Sequence, residues 1–261
     1  MARAIQLAKR GKYTTSPNPC VGCVIVKNGE IVGEGFHVTA GKAHAEVHAL
    51  NQAGKLAKGA EVYVTLEPCS HFGRTPPCAL ALIKAEVSHV YCAMEDPNPH
   101  VAGQGFELLV EAGIKVSTGL LAEDAANVNQ GYIKRITTGK PYVKCKLASS
   151  LDGKTAMANG ESKWITSSQS RQDVQRLRAV SCAVVTSAVS VIRDNARMNV
   201  RADELNLQSC ATAYPANDIR QPLRVIIDSK NRLTPDLLLF SQPTPVLILR
   251  TNLESEHEWP H

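Results

Sequence analysis

Thr65-Leu66-Glu67-Pro68-Cys69-Ser70-His71-Phe72-Gly73-Arg74-Thr75-Pro76-Pro77-Cys78, read with Ala43-His44-Ala45-Glu46 upstream, decides the fold of this 261-residue chain. One His, two Cys and one Glu stand here in an order that fits a metal site with a proton carrier beside it. Zinc takes thiolate and imidazole ligands in a tetrahedron, and a reactive site keeps one of the four positions open for water. His44, Cys69 and Cys78 supply three ligands. Glu46 lies too near His44 in sequence to be a convenient fourth. It is suited instead to carry a proton from that water to a leaving group.

The same order, H-x-E followed by P-C and a further Cys, is the signature of zinc-dependent base deaminases, where the Glu is the acid/base and not a ligand. The usual second half is P-C-x-x-C. Here Ser70 to Pro77 separate the two Cys. A structural zinc is the bland alternative. It would need a fourth protein ligand, such as His71 or Cys23, leaving no place for water and no task for Glu46. His48 follows His44 by four residues, but Ala45 stands where a zinc protease H-E-x-x-H needs Glu. Cys20-Val21-Gly22-Cys23 enters a strand, without the helix start that activates redox C-x-x-C pairs.

Working outward, apolar runs and turn signals alternate. Val21–Val26 reads as a strand, Lys27-Asn28-Gly29-Glu30 as a hairpin turn and Ile31–Gly35 as its return. A helix is expected from His44 to Ala53, closed by Gly54. A strand is expected over Glu61–Leu66, and Pro76-Pro77 opens a helix at Cys78. Strand His89–Met94, helix Gly105–Ala112, strand Ile114–Ser117 and one long helix Ala122–Ile136 follow. Both metal segments fall at helix starts, where partial positive charge favours a thiolate. Strands alternating with helices predict an α/β layered domain with a partly parallel sheet.

Thr137-Thr138-Gly139-Lys140-Pro141 breaks the pattern, so domains 1–139 and 140–261 are expected. Positions 143, 145 and 147 alternate and predict a strand over Tyr142–Leu147. Asp152-Gly153 reads as a turn. Thr166 or Ser167 caps a helix to Ala179, and strands follow at Ala183–Val185, Val225–Ile227 and Val246–Leu249. Gly103 and Gly105 lack the third Gly of a dinucleotide fingerprint, so no Rossmann site is expected. Trp164 reads equally as core residue or cofactor contact.

Net charge is +5, with 44% hydrophobic and 5% aromatic residues. The mild charge suits phosphate-bearing small molecules. The absence of a dense basic stripe argues against nucleic acid. No apolar run reaches membrane-span length, and the N-terminus lacks a signal-peptide core, reading instead as a short amphipathic helix with Ile5 and Leu7-Ala8 inward. A cytoplasmic location is expected, with no membrane partner. Eight Cys in a reducing compartment read as metal ligands plus buried thiols, Cys92, Cys145 and Cys182 among the latter.

Pro17-Asn18-Pro19, Val21-Gly22-Cys23-Val24, His44–Leu50 and the spaced Cys69–Cys78 stretch together resemble the riboflavin-biosynthesis pyrimidine deaminases. The Gly-Arg-Thr-Pro-Pro insertion distinguishes them from cytidine and tRNA deaminases. Lys146–Ala156, Gly160–Thr166 and Ile227-Asp228-Ser229 resemble the reductase attached to them. The resemblance implies an N-terminal cytidine-deaminase-like αβα layered domain followed by a dihydrofolate-reductase-like α/β domain. It implies Zn2+ and NADPH as cofactors, a phosphorylated pyrimidine as substrate, and a homo-oligomer, dimer or tetramer. His44, Cys69 and Cys78 would be zinc ligands, Glu46 the proton carrier and Asn18 a lining of the base pocket. Ala148, Trp164, Ser190, Asp194 and Ser229 match cofactor-contacting positions. Ser162, Arg178, Met198 and Arg201 match substrate-contacting ones. Two departures stand out. Cys20 replaces a polar residue, and Asp194–Asn199 is looser than the family's Asp-Asp-Pro pattern. The family's reductase continues beyond the point matching His261, so a shortened reductase domain, inactive or weakly active alone, is expected. A nucleic-acid or nucleoside base deaminase is the alternative reading.

Overall fold

The computed structural model of the chain describes residues 1–73, 76–99, 101–205 and 219–251. Two compact units divide it, Met1–Lys144 and Cys145–His261. Arg74, Thr75, His100, His257 and His261 lie outside the described residues.

The first unit is built on a five-stranded sheet: β1 (Gly22–Lys27), β2 (Glu30–Phe36), β3 (Glu61–Val64), β4 (His89–Cys92) and β5 (Lys115–Thr118). Its order is β2-β1-β3-β4-β5. β1 pairs antiparallel with β2 and β3, whereas β3, β4 and β5 run parallel. The Asn28-Gly29 turn takes positive φ at both residues, as a two-residue hairpin requires. The uninterrupted apolar run of β1 has a direct cause, since the strand is covered on both faces. On one side Val24 packs with Ala4 and Leu7 of helix α1 (Ala2–Lys9). On the other, Cys23 and Ile25 join Ala45, Ala49 and Ala53 of helix α2 (Ala45–Ala53) in the main core.

The small residues of α2 and β2 set the depth of the helix. A Cβ at Gly35 would lie 2.3 Å from the Ala45 carbonyl oxygen and 2.7 Å from the Ala49 nitrogen. Gly35 therefore lets α2 press against the sheet at the turn that bears Glu46. Gly35→Ala should push α2 outward, costing about 1–3 kcal/mol in overpacking. A thermal melt combined with a zinc-content assay checks this, with both Tm and metal retention expected to fall.

Helices α3 (Cys78–Lys84) and α4 (Gln104–Glu111) cover the same face, Leu82 and Leu109 being fully buried there. The long C-terminal helix read from the sequence is two, α5 (Ala122–Val128) and α6 (Gln130–Thr138). Asn129 breaks them. Its side-chain oxygen accepts the Cys20 amide at 2.8 Å, and its amide donates to the Cys20 carbonyl at 2.8 Å. Satisfying both backbone groups of Cys20 takes Asn129 out of helical geometry, with φ −118°.

In the second unit, α7 (Ser168–Val180) is capped by Ser167, whose Oγ accepts the Ser170 amide at 3.2 Å. β6 (Ala183–Ser187), β7 (Leu223–Ile227) and β8 (Val246–Leu249) form a parallel sheet in that order, and α8 (Ala188–Asp194) follows β6. Ala188, Val191, Ile226, Leu233, Leu239 and Phe240 make its core. The buried Arg224 guanidinium donates to the carbonyls of Arg197, Leu239, Gln242 and Thr244, holding two loops against β7. The strand expected over Tyr142–Leu147 is not formed. Val143 is 76% exposed and Leu147 80%, because no described strand pairs with the segment and alternation alone does not hold an extended chain. Cys92 is buried as expected, but Cys145 and Cys182 are exposed. The apolar neighbours of Cys145 remain in solvent with it, and Cys182 leads into β6, an edge strand of its described sheet whose own residues are exposed or half-buried.

Candidate metal centre and base pocket

Three elements deliver the candidate metal-binding side chains. His44 is the N-cap residue of α2, Cys69 lies beyond the end of β3, and Cys78 is the first residue of α3. The Cys78 Sγ lies 3.3 Å and the Cys69 Sγ 3.6 Å from His44 Nδ1. The three donor atoms lie within 4.8 Å of one another. Zinc with bonds of about 2.3 Å to sulfur and 2.0–2.1 Å to nitrogen would hold S and N about 3.5 Å apart in a tetrahedron. The donor set and its spacing therefore fit zinc.

The start of α3 also prepares the thiolate. The Cys78 backbone N–H donates to the Cys69 Sγ at 3.3 Å, and the Ala79 amide to the Cys69 carbonyl at 3.1 Å. Hydrogen bonding from Cys78, with further help from His44, pulls the Cys69 thiol down to about 4. Cys78, bonded to that thiolate and buried, is pushed up and keeps its proton. Bonding to Cys69 raises the His44 imidazole. A metal-free site thus holds protons that zinc must expel. Zinc binding should release them and should weaken as pH falls. Calorimetric titrations in buffers of different ionisation enthalpy check this, the expected result being net proton release at neutral pH.

Glu46 sits on the first turn of α2 and is 3% exposed. Its Oε2 is buried with no hydrogen-bond partner among the described residues. Burial first, then the negative charge of Cys69, raises its carboxyl to about 7. An orphaned carboxylate oxygen beside a set of metal ligands suits a group that exchanges a proton with a guest molecule.

His44, Cys69 and Glu46 border a cavity of about 410 Å³ whose other walls include Asn18, His37, His71, Asp96, Asn98 and Tyr132. His37 Nδ1 donates to the Ala43 carbonyl at 3.1 Å, so its Nε2 accepts from the Asn18 amide nitrogen at 3.1 Å. This fixes the orientation of the Asn18 amide. Asp96 accepts the Asn98 backbone amide and the Tyr132 hydroxyl, each at 2.9 Å. Burial, reinforced by the Asp96 charge, keeps that phenol protonated. Amides, a carboxylate and imidazoles within one small cavity match the donor and acceptor edges of a heterocyclic base. Asn18 was expected here from the resemblance, whereas His37, Asp96, Asn98 and Tyr132 were missed. A signal existed in Glu95-Asp96-Pro97-Asn98-Pro99, a proline-framed pair of polar residues directly after a strand, where α/β sheets present their ligand sites.

In the second unit, burial first and then the nearby Arg201 charge hold the Arg178 guanidinium below its ordinary value. Arg178 donates to the Asn199 carbonyl at 3.0 Å, and Arg201 pairs with Glu204 at 2.7 Å. Met198, on the same segment, packs against the core. Ser190, in the first turn of α8, and Ser229 follow the carboxyl ends of the parallel strands β6 and β7. The buried Asp228 carboxylate shapes the second turn by accepting the Arg232 and Leu233 amides. Asp194 ends α8 and is exposed. Ala148, Ser162 and Trp164 lie on the segment 141–167, which carries no helix or strand. Trp164 is 66% exposed beneath the Arg171 guanidinium, 4.3 Å from the ring centroid, and is no core residue.

Such a fold and site define a zinc deaminase domain joined to a second α/β unit. Residues 1–94 match the cytidine and deoxycytidylate deaminase zinc-binding region, and residues 141–260 match the RibD C-terminal domain. The riboflavin biosynthesis protein RibD of Escherichia coli is 57% identical over 260 residues, covering 100% of this chain and 70% of that protein. Its counterpart from Haemophilus influenzae is 55% identical, covering 95% and 67%. Among solved structures, Acinetobacter baumannii RibD superposes with a TM-score of 0.88 at 52% identity, covering 96% of this chain and 68% of that one. A Thermotoga maritima diaminohydroxyphosphoribosylaminopyrimidine deaminase/5-amino-6-(5-phosphoribosylamino)uracil reductase gives a TM-score of 0.86 at 38% identity, covering 99% and 70%. The chain belongs to the RibD family of bifunctional riboflavin-biosynthesis enzymes, a zinc deaminase followed by a reductase.

Proposed function

We propose that the first unit hydrolyses the ring amine of 2,5-diamino-6-ribosylamino-4-pyrimidinone phosphate, and that the second reduces the ribosyl group of the product to ribityl with NADPH. In this reading residues 1–139 form the deaminase domain and 140–261 the reductase domain. The observation that carries it is the His44–Cys69–Cys78 donor set beside the Glu46 carboxyl, whose Oε2 has no partner among the described residues and which borders a base-sized cavity.

His44, Cys69 and Cys78 hold the metal, which when bound acts as a Lewis acid and makes its water a nucleophile near neutral pH. Glu46 takes a proton from the attacking water and delivers it to the ring nitrogen. The water oxygen adds to the amino-bearing carbon. Glu46 then takes the remaining proton of the added hydroxyl and passes it to the amine; the carbon–nitrogen bond breaks as the carbonyl forms, and ammonia leaves. The raised affinity of the buried carboxyl for protons suits both directions of transfer. Asn18, oriented by His37, contacts the base.

In the second unit, Ser190 and Ser229 stand at the sheet edge where α/β folds take cofactors, which fits a dinucleotide. With Ala148, Trp164 and Asp194 they contact NADPH. Arg178 and Arg201, with Ser162 and Met198, hold the phosphorylated substrate, since the guanidinium fork suits phosphate oxygens. No helix among the described residues is long and apolar enough to cross a membrane. A cytoplasmic homo-oligomer, dimer or tetramer, completes the proposal.

The test is ammonia release from the diaminopyrimidine ribosylamino phosphate by zinc-loaded protein without NADPH. Stoichiometric release is expected. Zinc-bound protein that releases none would overturn the substrate assignment, and cytidine-type bases would be tried next.

A further inference from the structure

The mechanism leaves Glu67 without a task, although it is a carboxylate only 4% exposed on the segment that carries a metal ligand. Its Oε2 accepts the backbone amides of Asp96 and Gly103, each at 3.1 Å, and its Oε1 accepts that of Gly105 at 2.9 Å. The Glu67 backbone N–H donates to the Met94 carbonyl at 3.1 Å. Three amides converging on one buried carboxylate form an anion-holding nest at the start of α4.

These bonds join two parts of the reaction site. Two residues beyond Glu67 stands the ligand Cys69. On the other side of the nest, Asp96 and Asn98 line the cavity, and Asp96 is itself held by Tyr132. Gly105 brings the helix in closely enough for the contact. A Cβ there would meet the Pro68 carbonyl oxygen at 2.0 Å and Glu67 Oε1 at 3.1 Å. The metal-bearing turn and the cavity wall are therefore both referenced to one carboxylate.

We propose that Glu67 is a positioning residue that sets the distance between the metal ligand Cys69 and the base-reading wall at Asp96 and Asn98. Its charge matters because all three partners are donors, so a neutral amide of the same shape would turn an N–H against an N–H. The proposal rests on the deaminase reading above.

Glu67→Gln tests it, with three readouts on the full chain. Zinc content and the thermal melt report folding, the cobalt(II)-substituted protein's visible spectrum reports the thiolate geometry without substrate, and kcat and KM are measured for ammonia release. The expected result is full metal content, shifted cobalt bands, a rise in KM of about tenfold or more, and a fall in kcat approaching 10²-fold, as small misplacements produce. A Glu67→Gln protein with wild-type spectrum and kinetics overturns the proposal. So does one that unfolds, or one whose activity falls only in proportion to lost zinc at unchanged KM, since either makes Glu67 a general stability element. Failure of the deaminase reading itself would show separately, as a wild-type protein that releases no ammonia while its variant still shifts the cobalt spectrum.

Discussion

Glu46→Gln should lower ammonia release by about 10²–10⁴-fold, the contribution typical of a positioned general acid–base, while the protein keeps its zinc. The substitution keeps the shape of the side chain and removes its capacity to carry a proton. Glu46 is not one of the three clustered donors, so metal content measured by atomic absorption should match wild type. The Oε2 of this buried residue has no partner among the described residues, so the thermal melt should change little or rise. A loss confined to kcat, with KM nearly constant, is the signature of a group acting in the transition state. Wild-type turnover by this variant would remove Glu46 from the mechanism. The wild-type acid limb carries related information. The metal-free carboxyl lies at about 7. A nearby dication favours the charged form and draws the value down, so activity should fall on acidification from a midpoint below 7.

Cys78→Ala should abolish both zinc retention and deamination. One of three donors is lost, and Cys78 also stands at the helix start whose amide supports the Cys69 thiolate. Without the metal the attacking water returns to a pKa of about 15.7 from about 7, a deficit of more than eight powers of ten in available hydroxide at neutral pH. Turnover should fall below detection. Cys92→Ala is the matched control. Cys92 is equally buried, in the same core, but its thiol donates to the Met94 carbonyl at 3.2 Å and lies outside the donor set. Cys92→Ala should lower the melting temperature while retaining metal. Equal zinc loss in both variants would mean that core packing, rather than ligation, holds the ion.

Local spacing carries chemistry well and assembly poorly. The clustering of His44, Cys69 and Cys78 was legible because metal ligation restricts residue type, and helix boundaries could be inferred from Gly54 and Pro76-Pro77. The cavity wall was not, since His37, the Asp96–Asn98 pair and Tyr132 sit in three stretches that individually read as polar loop or surface helix. Only the parallel pairing of β3 with β4 brings the chain after Met94 beside Cys69. Glu67 illustrates the same limit, because its partners lie 29 to 38 residues away. The break at Asn129 escaped notice because its cause is a hydrogen-bonding partner 109 residues distant. At Tyr142–Leu147 the error ran the other way. Alternation names the face a strand would bury, but a strand also needs a neighbour to pair with.

The two bonds between Asn129 and Cys20 give a loop the protection of a sheet. A strand neighbour would accept one amide and donate to one carbonyl, and here a single side chain does both. In a deuterium-exchange experiment the Cys20 amide should therefore exchange at the pace of the α5–α6 junction rather than at the fast pace of an exposed loop. Asn18 lies two residues upstream. Asn129, which does not line the cavity, thus anchors the segment that carries one of its walls.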